Sequence, residues 1–176
     1  MTISVSGLTV YPIKSARGIV HTTAHLDDFG FWMDRRWMLV QPDGRFLSQR
    51  TLPTMALLET TLEAKGTLTV RHIARPSSSA LTLAVPNAEA ATCEVEVWGD
   101  RCVALLAEAS AHTWFTQALG VDCRAVYMPT TTHRPVANDA QTRVSFSDGY
   151  PLLVISEASL EDLNQRLAAP LPMNRF

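Results

Sequence analysis

The chain has 176 residues, 47% of them apolar, and a net charge of -2, enough for a buried core in one domain or one domain and part of another. No block of one charge points to a polyanion, so nucleic acid is not expected as a partner. No apolar run approaches bilayer length, and Pro12, Lys14 and Arg17 interrupt the start where a signal peptide would be apolar, so a cytoplasmic protein off the membrane is the expectation.

Ile3 to Val10 reads as a strand, and Val20 to Leu26 as its resumption. Between them Tyr11-Pro12-Ile13-Lys14-Ser15-Ala16-Arg17-Gly18 breaks the pattern. Pro12 cannot donate to a sheet ladder, and Gly18 can take a backbone angle closed to other residues. The resulting loop offers an ammonium, a hydroxyl and a guanidinium to one anion, the inventory a phosphate ester needs. The plain alternative is a solvated turn.

Short strands follow at close intervals: Arg36 to Gln41, Met55 to Leu62, Thr67 to His72, Leu81 to Val85, Thr92 to Trp98 and Arg101 to Leu106. Turn signals separate most of them, notably Pro42-Asp43-Gly44, Lys65-Gly66, Pro86-Asn87 and Gly99-Asp100. Closely spaced hairpins predict an antiparallel barrel or sandwich. Glu94, Glu96 and Trp98 alternate with Val95 and Val97, as in a strand with one wet face.

The period changes at Ser110 to Leu119, where Ala111, Trp114, Phe115, Ala118 and Leu119 share a helix face and Gly120 supplies the stop. Arg124 to Met128 reads as one more strand. Pro129 to Arg143 is aperiodic and reads as a connector, with His133-Arg134-Pro135 taken as a solvated loop and only secondarily as an anion contact. Leu152-Leu153-Val154-Ile155 then reads as a strand covered on both faces. Ser156 caps a helix carrying Leu160, Leu163 and Leu167 in one stripe. Cys93, Cys102 and Cys123 form no Cys-x-x-Cys pair and no zinc spacing, and are expected to be ordinary buried thiols.

Four stretches resemble the MOSC family, the molybdenum-cofactor sulfurase C-terminal proteins and their amidoxime-reducing relatives. They are the Tyr11 to Gly18 loop; Asp34-Arg35-Arg36-Trp37 running to Gly44; Phe46-Leu47-Ser48-Gln49-Arg50; and Ser147-Asp148-Gly149-Tyr150-Pro151 running to Leu167. The resemblance implies a mainly β, α+β chain: a barrel-like N-terminal domain over residues 1–130 with one packed amphipathic helix, a connector at 131–143, and the truncated start of a second β-rich MOSC domain at 144–176.

It also implies a molybdenum cofactor, a pyranopterin ending in a phosphate. Lys14 and Ser15 would meet that phosphate with Arg35 beside them. Ser147, Asp148 and Gly149 would lie near the pterin or the metal, and Arg175 near the cofactor. The metal-ligating cysteine is expected beyond Phe176, so this portion alone is expected to be inactive. Its parent would reduce N-hydroxylated small molecules with electrons from a redox partner. A family link to pyridoxal phosphate finds no Schiff-base lysine, since Lys14 and Lys65 are the only two lysines. The alternative from another class is a free-standing barrel that serves as a binding module without a metal.

Overall fold

The computed structural model describes residues 2–175. Its strands are β1 (Leu8–Val10), β2 (Ile19–His21), β3 (Leu26–Asp27), β4 (Gly30–Phe31), β5 (Trp37–Val40), β6 (Leu58–Leu62), β7 (Leu68–His72), β8 (Leu81–Leu83), β9 (Thr92–Val97) and β10 (Asp100–Leu106). Helix α1 (Ala109–Leu119) precedes β11 (Arg124–Tyr127), β12 (Pro135–Val136) and β13 (Asp139–Arg143), and α2 (Glu157–Asn164) comes last. Every ladder is antiparallel: β5-β11-β10-β9, β6-β7-β8, and three two-stranded pairs, β1-β2, β3-β4 and β12-β13. Together they make the barrel-like α+β architecture expected of closely spaced hairpins.

β5 is the element around which the interior divides. Trp37 and Leu39 enter one apolar cluster with Ile13, Met55, Leu58 and Phe115. Met38 and Val40 enter a second with Phe29, Val95, Val126 and Phe146. A strand buried on both faces needs an unbroken apolar run, and Trp-Met-Leu-Val supplies one. Helix α1 closes the first cluster with Ala111, Phe115 and Leu119, and Gly120 ends it in the left-handed region at φ 74°.

Several expectations shift. The first strand is only Leu8–Val10, and residues 2–6 are exposed. The hairpin between β9 and β10 turns at Trp98-Gly99, with φ of 54° and 94°, and pairs Val97 with Asp100. Two positive φ values are what a two-residue turn matching strand twist requires. Trp98 is thus a turn residue, not the last residue of a wet strand face.

The stretch taken as an aperiodic connector contains the β12-β13 hairpin. Leu152 to Ile155 is no buried strand: Leu153 and Val154 are 69% and 89% exposed, and the segment pairs with no ladder. Ser156 does cap α2, its Oγ accepting the Ser159 N–H at 3.0 Å. The helix ends at Asn164, short of Leu167, and buries no residue.

Candidate functional site

The Tyr11 to Gly18 loop is not a solvated turn. It is strapped along the start of β5: Trp37 N–H donates to Pro12 O at 3.0 Å, Lys14 N–H to Trp37 O at 2.8 Å, and Arg17 N–H to Leu58 O at 3.0 Å. Ile13, Lys14 and Ala16 are buried in consequence. Ser15, not Gly18, takes the left-handed angle, at φ 65°. Gly18 is needed for close approach, since a Cβ there would stand 2.4 Å from Thr9 Cγ2 and 2.8 Å from the Tyr11 ring.

The Asp34-Arg35 pair is likewise no surface ion pair. Asp34 is 2% exposed; it accepts the Tyr11 N–H at 2.8 Å and meets Arg35 Nη1 at 3.0 Å. Burial pushes its carboxyl up to about 6, against the Arg35 charge and the Tyr11 N–H. Arg35, at φ 47°, donates its N–H to Tyr11 O and accepts the Phe146 N–H on its carbonyl, tying the loop to the later stretch. Neighbouring Arg36 turns elsewhere, donating Nε and Nη2 to Met128 O and stacking on Phe29 and Tyr127.

Lys14 reaches across the chain. Its Nζ donates to Phe146 O at 2.8 Å and pairs with Asp148 Oδ1 at 2.5 Å, and it lies 5.1 Å from the Phe46 ring centre. Burial lowers its pKa, Asp148 opposes that, and the Arg35 and Arg134 charges add to the lowering. For Asp148, burial pulls the other way, but hydrogen bonds from Lys14 and Trp98 Nε1 hold the carboxyl below its ordinary range. The lysine head is enclosed while the aspartate side chain is 67% exposed, so the pair meets solvent from the Asp148 side.

Arg134 organises the backbone under this pair. The stretch around it reads from sequence as a solvated loop, yet Arg134 is 3% exposed. Its guanidinium donates to Ser145 O at 3.0 Å, Ser147 O at 2.6 Å and Asp148 O at 2.9 Å, and pairs with Asp100 at 2.8 Å. A planar fork with five N–H groups suits several carbonyls converging from one bend. Gln49 supports the other side, its Nε2 donating to Ser15 O at 2.8 Å, and Arg50 stacks 4.8 Å over Trp98.

The structure therefore brings Lys14, Arg35 and Asp148 together beside the start of β5, with Ser15 and Ser147 flanking in the chain. Gly149 follows in an open bend, where an added Cβ would meet nothing within 4 Å. Arg175 is not brought in: it lies on the exposed turn Met173–Arg175 and makes no side-chain bond to the others. The sequence assigns no site role to Trp98 or Gln49, and reads Arg134 first as part of a solvated loop and only secondarily as an anion contact.

The donor set has spare capacity. Arg35 Nε and Ser147 Oγ are both buried without a hydrogen-bond partner within the described residues. Buried donors are seldom left so, and each is a place where a ligand oxygen would be stabilised. Burial raises the thiol pKa of Cys93, Cys123 and Cys102, the last to about 11, which disfavours the thiolate. Among the described residues no cluster of His, Cys, Asp and Glu could hold a metal, and no helix is long and apolar enough to cross a membrane.

A barrel-like antiparallel domain whose loops carry buried cations is the class that fold and geometry define. Residues 2–122 match the MOSC N-terminal beta barrel domain, and the chain belongs to that family. It is similar to the molybdenum cofactor sulfurase of Oryza sativa subsp. japonica, 29% identical over 175 residues that cover 94% of this chain and 21% of that protein. It is similar also to mitochondrial amidoxime-reducing component 1 of Mus musculus, 32% identical with 98% of this chain and 53% of the relative covered, and to component 2 of Bos taurus, 28% identical with 98% and 54% covered. The chain thus spans about a fifth of the sulfurase and about half of the amidoxime-reducing relatives.

Proposed function

We propose that this chain is the N-terminal portion of a MOSC-type molybdenum-cofactor oxidoreductase and holds the phosphate end of the pyranopterin. Residues 1–130 form its barrel, 131–143 the connector and 144–176 the start of the following domain, whose Phe146 packs into the barrel's second cluster. The observation that carries the reading is the enclosed Lys14 ammonium beside Arg35, whose Nε–H has no partner among the described residues. A phosphate monoester offers three oxygens, and an ammonium, a guanidinium edge and a hydroxyl from Ser15 or Ser147 match them in charge and number.

When bound, the cofactor supplies the redox centre for reducing an N-hydroxylated compound to the amine or amidine and water, with two electrons from a redox partner and two protons. The residues here bind and orient. Lys14 supplies a point charge, Arg35 a directional edge, and Asp34, fixed by Tyr11, orients Arg35. The metal-ligating thiolate is assigned to none of Cys93, Cys102 and Cys123, whose thiols burial pushes up.

The test is titration with glycerol phosphate, a simple phosphate monoester. Lys14 is buried, so alanine would leave a gap; Lys14→Met keeps the stem and Arg35→Gln keeps much of the volume. The double variant is expected to bind at least tenfold more weakly than the parent chain while melting cooperatively. Equal binding by a folded double variant overturns the assignment. Reduction of an aryl amidoxime by the gene product carrying this chain tests the redox part separately.

A further inference from the structure

The cation cradle already contains an anion, the side chain of Asp148. Oδ1 of Asp148 takes both the Lys14 ammonium, at 2.5 Å, and the Trp98 indole N–H, at 2.9 Å. Beyond Asp148, Lys14 Nζ has one polar partner among the described residues, the Phe146 carbonyl. The carboxylate therefore sits where a ligand oxygen would have to sit to reach Lys14.

Backbone and side chain of Asp148 differ in how firmly they are held. The backbone is fixed, since Arg134 grips the carbonyls of Ser145, Ser147 and Asp148 in one fork. The side chain is 67% exposed, and the next residue, Gly149, stands in open space. Rotation about the side-chain bonds can therefore free Lys14 without disturbing the Arg134 knot. Arg134 cannot take over as the ligand's cation, because three carbonyls and Asp100 occupy its donors. The exchangeable positions are Lys14 and Trp98, with the unpartnered Arg35 Nε beside them.

We propose that Asp148 is the specificity-determining residue of this site: its carboxylate is a resident anion that an incoming phosphate dianion displaces from Lys14 and Trp98. The inference rests on the phosphate-site reading above. Its chemical basis is competition. A monoanionic carboxylate from solution offers Lys14 nothing that Asp148 does not already supply at far higher effective concentration. A phosphate dianion offers a second charge and a third oxygen, and so engages Arg35 as well as Lys14. The resident aspartate thus screens out monoanions and admits dianions, whether inorganic phosphate or a phosphate monoester.

The experiment titrates the chain and its Asp148→Asn variant with inorganic phosphate, glycerol phosphate and acetate. Binding is followed by the Trp98 indole N–H resonance, assigned by its loss in Trp98→Phe. In the parent chain, glycerol phosphate is expected to shift that resonance as the indole loses its carboxylate acceptor, and acetate to leave it unmoved. Asp148→Asn is expected to bind both phosphates about tenfold more tightly and to acquire acetate binding, each lost again on adding Lys14→Met.

If parent and Asp148→Asn bind phosphate equally and the Trp98 resonance stays put, exchange is overturned while the phosphate site stands. If neither binds phosphate, both are overturned. Inorganic phosphate bound with glycerol phosphate excluded shows a free-ion site and overturns the ester reading. Should Asp148→Asn fail to fold, the Trp98 response of the parent chain decides alone.

Discussion

Trp37 to Val40 and Leu152 to Ile155 are both runs of four apolar residues, and the chain treats them in opposite ways. Every residue of the first is buried, whereas Leu153 and Val154 of the second are 69% and 89% exposed. The first run lies between two sets of partners, pairing with β11 and sending alternate side chains into two clusters. The second has none of these. An apolar run permits burial on both faces; neighbours on both sides bring it about. The boundary between the two regimes is sharp, since residues 144–147 are buried and none of the described residues after Ser147 is.

The largest contrast is expected from truncating one side chain on each side of that boundary. Phe146 is fully buried in the second cluster, so Phe146→Ala should cost about 3–5 kcal/mol by lost transfer energy and the cavity left behind. Leu153→Ala should stay within about 0.5 kcal/mol. Urea denaturation measures both. A Leu153 cost above about 1.5 kcal/mol would mean that the second run is packed and that the contrast fails.

A smaller effect separates the body from the tail by pH. The Asp34 carboxyl rises from its ordinary 3.8 to about 6 on folding. Between those values the folded chain binds the proton more tightly than the unfolded chain, so stability falls as pH rises. The contribution is complete below about pH 4 and lost above about 6, a span of about 3 kcal/mol. Asp34→Asn removes it, so urea midpoints measured from pH 4 to 7 should show the variant gaining on the parent chain by roughly that amount. An unchanged difference across the range would place the Asp34 titration elsewhere.

How much of this was legible in the sequence follows from the same contrast. Hairpins were, because Asp-Gly and Gly-Asp stretches interrupt alternating strands, and α1 was, because five apolar residues share a face. Lys14, Arg35 and Asp148 were legible through the family resemblance, and the structure brings all three together. Arg134 was not, because its partners are backbone carbonyls 11 to 14 residues later, and no side-chain pattern announces a carbonyl. Trp98 reads as the last residue of its strand and is the first of the turn, because alternation runs straight through a position whose φ is positive. Arg175 remains where only the resemblance had put it, on an exposed turn apart from the cluster.

The smallest effect is the sharpest test of independence between the two regions. Helix α2 buries nothing, so its order depends on local terms, and the Ser156 cap is the largest one visible: its Oγ satisfies the Ser159 N–H. Ser156→Ala should cost that helix about 1 kcal/mol. If α2 opens without the barrel, its amides open by local fraying, and 1 kcal/mol raises their exchange about fivefold. Amides of β5 exchange through a much larger opening that leaves the state of α2 irrelevant, so Leu39, whose strand pairs with β11, should exchange at the parent rate. Hydrogen exchange of both variants under the same conditions gives the comparison directly. Acceleration at Leu39 matching that in residues 157–164 would show that α2 and the barrel open as one unit, and Leu152 to Ile155 would then have to transmit that coupling despite its exposure.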